Sequence, residues 1–195
     1  QASTGKDPEL GLVDGAALIY LSGGNPGFLT ETLAGTAVWR AIVAAWRAGA
    51  ALAGCSAGAM ALGARVPRIR DLNAPPVPGL GVVPGVEVIP HFDAFERRFP
   101  GLIATRAADP APGVRLLGID EDTAMVSGLT EGTNVPAGPL ESSWTPSWTV
   151  MGRRSVWLLD PDDVSGVARQ GFPAGATLLA QQVLPPVMPA TGKAR

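Results

Sequence analysis

The segment with the clearest chemical potential is Gly54-Cys55-Ser56-Ala57-Gly58, in which a serine and a cysteine lie among small residues. An apolar run precedes it and an Ala-, Met- and Leu-rich segment follows it, so it joins a predicted buried strand to a predicted helix. A hydroxyl on such a strained turn is pushed out above the sheet, and only small neighbours leave room for the backbone. The pattern predicts Ser56 as a nucleophile and places Cys55, one step earlier, in the packing of the sheet.

A serine hydroxyl needs a base, and His91 is the only histidine of the chain. It follows a short predicted strand, at the carboxyl end where α/β sheets place their sites. A carboxylate should orient the imidazole. Glu121 is the first candidate because it also follows a predicted strand, and Asp71, in a proline-rich segment, competes with it. Three further aspartates rank behind these two: Asp120, Asp122 and Asp93.

Acyl transfer also needs N–H donors aimed at the developing oxyanion. The amide of Ala57, directly after the nucleophile, is one predicted donor. The Gly23-Gly24 loop ends the neighbouring predicted strand and offers a second, for which Gly24 is our choice.

The elements that must position these residues alternate between strand and helix. Ala16–Leu21 is predicted as a buried strand, Thr30–Ala48 as an amphipathic helix and Ala50–Gly54 as a second strand, which together make a βαβ unit. Two later strands, Val86–Ile89 and Val114–Ile119, lead to His91 and towards Glu121. All the candidate residues therefore follow strands, apart from Asp71.

The rest of the chain extends this pattern. The sequence predicts a helix from Asp93 to about Ala107, a hairpin over Thr149–Leu159 that turns at Gly152, and a last strand over Ala176–Val183. The fold class is α/β, with a mainly parallel sheet flanked by helices and antiparallel additions near the C-terminus. We expect residues 1–195 to form a single domain, in which about 160–195 contribute a C-terminal strand and a loose tail.

Composition excludes several classes of protein. With 15 basic and 17 acidic residues the net charge is −2, which argues against nucleic-acid binding. One cysteine and one histidine argue against an internal disulfide and a multi-histidine metal site. The longest apolar stretch is broken by Arg47 and Gly49, short of the roughly 20 residues of a membrane helix. No signal-like segment is evident before Leu10, so we expect a cytoplasmic protein without a membrane partner.

Over about Ala16 to Val126, the chain resembles the dipeptidase E and cyanophycinase family of serine peptidases in the order and spacing of four segments. They are Ser22-Gly23-Gly24-Asn25-Pro26, Gly54-Cys55-Ser56-Ala57-Gly58-Ala59, Pro90-His91-Phe92 and Gly118-Ile119-Asp120-Glu121. The resemblance implies a fold like that of class I glutamine amidotransferases and exopeptidase action on short peptides, sometimes aspartyl ones, with no metal or cofactor. It also implies a site with Ser56 as nucleophile, His91 as base, the Gly24 and Ala57 amides as oxyanion hole, and either Glu121 or Asp71 as the acid.

The chain also departs from the family pattern. Family members usually have another strand and helix ahead of the glycine loop, so the sheet either lacks an edge strand or takes one from a partner, and we expect a homodimer. Arg97 or Arg98 could grip a substrate carboxylate, as an arginine does in the aspartyl dipeptidases, or could be a solvated helix face. The loop from Pro136 to Pro146, with Trp144 and the neighbouring Trp148, is either a rim for substrate, a subunit contact or packing.

Two alternative functions stay open. The first is an amidotransferase-like or deglycase-like enzyme that uses Cys55, and the second is an inactive scaffold that acts by binding. An α/β-hydrolase ranks lower because that fold places its histidine last in the triad, near the C-terminus, whereas a long segment follows His91 here.

Overall fold

A computed structural model of the chain describes residues 11–68, 74–99, 101, 103–104, 106, 113–128, 147–162 and 166–184. The described residues form two compact units, of which the first ends at Val82 and the second begins at Val83. Both units combine helices with strands, so the fold is mixed α/β. Among the helices described, none has the length and apolar character that a membrane crossing requires. The expectation of a single domain stays a prediction.

The first unit contains a parallel pair of strands that are connected through helices. Leu18 lies opposite Ala51 and Leu21 lies opposite Gly54 in this pair. The elements, in chain order, are β1 (Leu18–Leu21), α1 (Pro26–Leu33), α2 (Ala37–Arg47), β2 (Ala51–Gly54), α3 (Ala57–Leu62), β3 (Arg65–Val66) and β4 (Val77–Pro78). Strands β1 and β2 are parallel, β3 and β4 are antiparallel, and α3 packs against β1 and β2.

The two faces of the β1–β2 pair differ in burial. Ile19 and Leu21 are buried, whereas Leu18 and Tyr20 are exposed. This alternation follows from the period of two along a strand. Ala53 lies opposite Tyr20 and therefore shares the exposed face.

The prediction of one helix over Thr30–Ala48 is wrong, because the chain forms α1 and α2 there. Between them, Gly35 has a φ of 73°, a conformation that glycine adopts without strain. Thr36 then caps α2, since its hydroxyl oxygen accepts the Trp39 N–H at 3.1 Å. The apolar spacing continues across the break and conceals it in the sequence.

The second unit contains two sheets. The elements are β5 (Val86–Pro90), α4 (Phe92–Arg98), β6 (Arg115–Ile119), β7 (Thr123–Ser127), β8 (Ser147–Gly152), β9 (Ser155–Asp162), β10 (Gly166–Pro173), β11 (Thr177–Leu179) and α5 (Ala180–Val183). The strands are ordered β10-β9-β6-β5 in one sheet and β11-β8-β7 in the other. The pair β5–β6 is parallel, and the other pairs in these sheets are antiparallel. A parallel majority is not evident among the described pairs.

The predicted hairpin over Thr149–Leu159 is wrong in its pairing. Strand β8 pairs with β7 and β11, whereas β9 pairs with β6 and β10, so the chain passes from one sheet to the other near Gly152. At Gly152 φ is 113°, and a Cβ there would lie 2.1 Å from the Asp122 carbonyl oxygen. Residue alternation predicts that these segments are strands, but it does not identify their partners. Strand β10 was not predicted, and the predicted last strand is β11 followed by α5.

A buried ion pair lies in the core of the second unit. Glu87 of β5 is 1% exposed, and both of its carboxylate oxygens accept hydrogen bonds at 2.7 Å from Arg106 Nη2. The Arg106 side chain is itself only 16% exposed. Removing either partner would leave the other charge with too little water to solvate it.

Glu87→Gln should therefore lower the free energy of unfolding by about 3–5 kcal/mol, because it leaves the Arg106 guanidinium without its carboxylate. The control is Glu31→Gln, which breaks an exposed pair with Arg68 at 3.5 Å. That change should cost less than about 1 kcal/mol. Urea unfolding followed by circular dichroism measures both, and equal losses would contradict the assignment.

Candidate active site

Ser56 occupies a strained turn between a strand and a helix. Strand β2 ends at Gly54, α3 begins at Ala57, and Ser56 between them has φ 52° and ψ −113°. A residue with a side chain rarely adopts this conformation, which costs on the order of 1–3 kcal/mol. Strain of this kind at a serine between strand and helix is typical of a nucleophile elbow.

The glycines on either side of Ser56 are required by close packing. A Cβ on Gly54 would lie 2.6 Å from the carbonyl carbon of Gly58, and a Cβ on Gly58 would lie 2.0 Å from the carbonyl oxygen of Leu21. Neither distance can be accommodated without moving backbone. Small residues two before and two after the serine are therefore a steric condition for this turn.

The glycine loop after β1 lies beside Ser56. A Cβ built on Gly23 would be 3.6 Å from Ser56 Cβ and 3.9 Å from Ser56 Oγ, which is ordinary van der Waals contact. Gly24 has a φ of 139°, a conformation that L-residues rarely adopt. The amide of Ala57 is at the start of α3, where backbone N–H groups have no acceptor within the helix. Both predicted oxyanion donors thus come from segments next to the serine.

The prediction that Cys55 is buried in the sheet is wrong, because Cys55 is exposed. Alternation along β2 directs Cys55 to the same face as Ala53 and Tyr20, and that face is open. A hydrogen bond with the Cys55 side chain raises the pKa of the Tyr20 phenol above its usual value, and the charge of Cys55 adds a smaller contribution. The thiol is on the sheet face and accessible to reagents.

His91 and Glu121 meet after two neighbouring parallel strands of the second unit. His91 follows β5 and caps α4 in a left-handed conformation, with φ 53° and ψ 38°. Glu121 follows β6, and its Oε1 lies 3.2 Å from His91 Nδ1. The two side chains are 51% and 48% exposed, so the pair is open to solvent. The first-choice carboxylate of the sequence analysis is therefore within hydrogen-bonding distance of the imidazole.

This contact defines what the imidazole can do. An ionised carboxylate only accepts hydrogen bonds, so beside ionised Glu121 the Nδ1 atom is the protonated nitrogen and donates a hydrogen bond to Oε1. In the neutral ring Nε2 is then unprotonated and can accept a proton from another group. The arrangement suits a general base that later becomes a general acid.

Backbone strain is concentrated at the candidate residues. Among the described residues, the non-glycine positions with positive φ are Ser56, His91 and Asp122, and Asp122 directly follows Glu121. Such conformations persist only where the surrounding structure holds them, and they cluster at functional sites.

The three lower-ranked aspartates have other contacts. Asp120 is buried and accepts hydrogen bonds from Trp157 Nε1 at 3.0 and 3.1 Å and from the Ser155 N–H at 3.2 Å, which ties β6 to β9. Asp122 is exposed in the turn. Asp93 accepts the backbone N–H of Glu121 at 2.9 Å and forms an ion pair with Arg154. The sequence gives no indication of these contacts, because they join positions far apart in the chain.

The remaining predicted residues are placed only in part. Asp71, Trp144 and the loop that contains Trp144 lie outside the described residues. Arg97 and Arg98 are exposed on α4, and Trp148 is buried in β8. Within the described ranges, His, Cys, Asp and Glu side chains form no group of three that could hold a metal ion. Ser56 belongs to the first unit, and His91 and Glu121 belong to the second.

Comparison with known proteins identifies the family. The sequence model of peptidase family S51 matches residues 3–132, which is well over half of the chain. The chain belongs to peptidase family S51. The segments that contain Ser56, His91 and Glu121 all lie inside the matched residues.

A solved structure supports membership in this family. The chain is similar to the crystal structure of a peptidase from an acI-B1 Actinobacterium, with 37% sequence identity and a TM-score of 0.69. The similarity covers 89% of this chain but 64% of that one, so this chain spans less than two thirds of the length of the solved peptidase. No curated protein matches the chain significantly.

Gly58→Ala should prevent the elbow from forming, because the added Cβ would lie 2.0 Å from the Leu21 carbonyl oxygen and backbone would have to move. We expect a loss of several kcal/mol in the free energy of unfolding, comparable to severe overpacking. Gly27→Ala, in α1, is the control, because its Cβ would meet only Asn25 Oδ1 at 3.5 Å. Thermal unfolding measures both variants, and a Gly58→Ala protein as stable as Gly27→Ala would contradict the packing described.

Proposed function

We propose that the protein is a serine peptidase that hydrolyses short peptides through an acyl-enzyme. In this proposal Ser56 is the nucleophile, His91 is the general base and Glu121 orients the imidazole. The observation that carries the proposal is the 3.2 Å contact between His91 Nδ1 and Glu121 Oε1. The strained turn at Ser56 and the family support it.

The first half of the reaction forms an ester on Ser56. His91 Nε2 takes the hydroxyl proton while Ser56 Oγ attacks the peptide carbonyl carbon. The N–H groups of Gly24 and Ala57 stabilise the negative charge on the carbonyl oxygen. When the tetrahedral intermediate collapses, the C–N bond breaks and the imidazolium returns its proton to the departing amine. Glu121 stabilises the imidazolium between these two steps.

The second half releases the acid product. Water replaces the amine, His91 removes a proton from it, and the resulting oxygen attacks the ester carbonyl. Collapse of the second tetrahedral intermediate breaks the bond to Ser56 Oγ, which recovers its proton from His91. The half-exposed His91 and Glu121 side chains leave the base open to water. The cycle needs no metal or cofactor.

Glu121 is preferred to Asp71 as the triad acid because of its contact with His91. Asp71 stays the alternative acid, outside the described residues. The variant Glu121→Gln separates the two candidates, since it keeps the size of the side chain and removes the charge that stabilises the imidazolium. If Glu121 is the acid, kcat should fall by about 10⁴-fold.

We also propose the fold of class I glutamine amidotransferases, with a mainly parallel α/β sheet. In support, each parallel strand of the described residues leads to a proposed functional segment: β1 to Gly24, β2 to Ser56, β5 to His91 and β6 to Glu121. Ligands of such sheets bind outside the carboxyl ends of the strands. We further propose that the protein is a cytoplasmic homodimer. The exposed side chains of Leu18 and Tyr20 on β1 support a subunit contact at this strand.

Ser56→Ala should lower kcat for di- and tripeptides by about 10⁶-fold, because the attacking oxygen is lost while peptide binding remains. The panel contains peptides with an amino-terminal aspartate, neutral peptides, and versions blocked at either end, and mass spectrometry reads the products. Cys55→Ala is the matched control, one residue away, and should keep its activity. Full activity of Ser56→Ala would contradict the proposal.

The exposed thiol of Cys55 defines the second candidate function, an amidotransferase-like or deglycase-like enzyme. Alkylation with iodoacetamide separates the two candidates. An enzyme that uses Cys55 would lose its activity on alkylation and in the Cys55→Ala variant, whereas an enzyme that uses Ser56 would keep its activity in Cys55→Ala. An inactive scaffold would cleave no peptide of the panel in any form.

A further inference from the structure

We propose that Asp93 is a positioning residue that holds His91 and Glu121 in the geometry needed for proton transfer. This role adds a residue to the proposed function, and its effect on catalysis rests on that function. Asp93 is in the first turn of α4, two residues after His91, and its Oδ1 accepts the Glu121 N–H at 2.9 Å. One carboxylate thus joins α4, which His91 caps, to the turn that contains Glu121.

The His91–Glu121 contact needs such support. Both side chains are about half exposed, and ion pairs and hydrogen bonds at a surface contribute roughly 0–1 kcal/mol. Immobilising a glutamate side chain costs up to about 2 kcal/mol in rotamer entropy. The contact therefore cannot fix its own geometry, and the backbone on both sides must be held by other groups.

The second oxygen of Asp93 is engaged as well. Oδ2 is buried and forms an ion pair with Arg154, the residue that precedes β9. The guanidinium of Arg154 compensates the negative charge of the Asp93 carboxylate. With one oxygen on Glu121 and the other on Arg154, Asp93 acts through the backbone of the acid and is not itself the triad acid.

The carbonyl side of Glu121 is held by a second set of contacts. The Thr123 hydroxyl donates to the Glu121 carbonyl oxygen at 3.1 Å, and the Arg154 N–H donates to the same hydroxyl at 3.1 Å. The Arg153 N–H donates to the Asp122 carbonyl oxygen at 2.9 Å. Arg154 therefore contacts both Asp93 and Thr123, and the turn around Glu121 is fixed from its N–H and from its carbonyl side.

His91 is also held in place by the packing of the neighbouring Phe92 on β6. Phe92, between His91 and Asp93, is buried and covers Gly118 of β6, where a Cβ would lie 2.6 Å from the ring. Its ring centroid is 5.9 Å from that of Trp157. The start of α4 is thus packed on β6, and Asp93 adds the polar link from that helix to the following turn.

The single histidine makes the proposal measurable without any substrate. Protein labelled with ¹⁵N-histidine contains one imidazole, so its nitrogen shifts report the tautomer of His91 directly. The folded protein should show Nδ1–H and an unprotonated Nε2, set by Glu121. Asp93→Ala should abolish this preference and lower kcat by about 10²-fold with little change in KM, as expected for a misplaced catalytic group.

Two further variants and a control test whether the hydrogen bonds to the Glu121 backbone are responsible for the effect. Asp93→Asn keeps an oxygen that can accept the Glu121 N–H, so it should retain more of kcat and of the tautomer preference than Asp93→Ala. Thr123→Val removes the contact on the carbonyl side and should move both readouts in the same direction. Asp160→Asn breaks an ion pair with Arg115 at 3.0 Å elsewhere in the unit and should change neither.

The proposal requires that the tautomer and kcat change together. A native tautomer and kcat in both Asp93→Ala and Thr123→Val would overturn it, as would a change in only one of the two readouts in a protein whose activity requires Ser56. If Ser56→Ala keeps its activity while the His91 tautomer still depends on Asp93, the proposed function fails and the positioning role stands. If Ser56 is essential but Asp93 affects neither readout, the positioning role fails and the proposed function stands.

Discussion

The candidate site depends on backbone held in left-handed conformations where strands end. Ser56 and His91 adopt positive φ themselves, and Asp122 does so directly after Glu121. Each conformation costs on the order of 1–3 kcal/mol and turns the chain sharply at the carboxyl end of a strand. The surrounding structure stabilises these turns by different means. Around Ser56, the absence of side chains at Gly54 and Gly58 leaves room for the turn. Around Glu121, hydrogen bonds from neighbouring side chains to its backbone hold the turn.

This constraint explains why weak interactions suffice at the site. A half-exposed histidine and a half-exposed glutamate would exchange partners with water if their backbones could move. Phe92 is packed on Gly118 and Asp93 accepts the Glu121 N–H, so the backbone next to both side chains is held. The same exposure leaves the imidazole accessible to a substrate and to water. The backbone contacts and the buried Phe92 hold His91 and Glu121 in place, and the exposed side chains of these two residues are open to solvent.

Much of the candidate site could be predicted because its residues follow strand ends. The apolar runs before Gly23, Gly54 and His91 are local in the sequence, and so is the small-residue pattern around Ser56. The break between α1 and α2 could not be predicted in this way, because Gly35 interrupts the helix without interrupting the apolar spacing. The exposure of Cys55 depends on which sheet face is covered, and this is a tertiary property.

The contacts between distant segments were the least predictable. The strand patterns of β8 and β9 are clear, but their partners lie in different sheets, and alternation carries no information on pairing. The link from Asp93 to Glu121 spans 28 positions and depends on how the first turn of α4 aligns with the end of β6. From its position in the sequence Asp93 is a low-ranking candidate for the triad acid, whereas in the structure its carboxylate accepts the backbone N–H of Glu121.

The most direct test of the central claim is the rate at which a fluorophosphonate labels Ser56 in the native protein and in a His91→Gln variant at the same pH. If His91 and Glu121 activate the hydroxyl, the label lies on Ser56. Replacing His91 by Gln should then slow the labelling by about 10⁴-fold. Equal rates in the two proteins, or a label on a residue other than Ser56, would contradict the account.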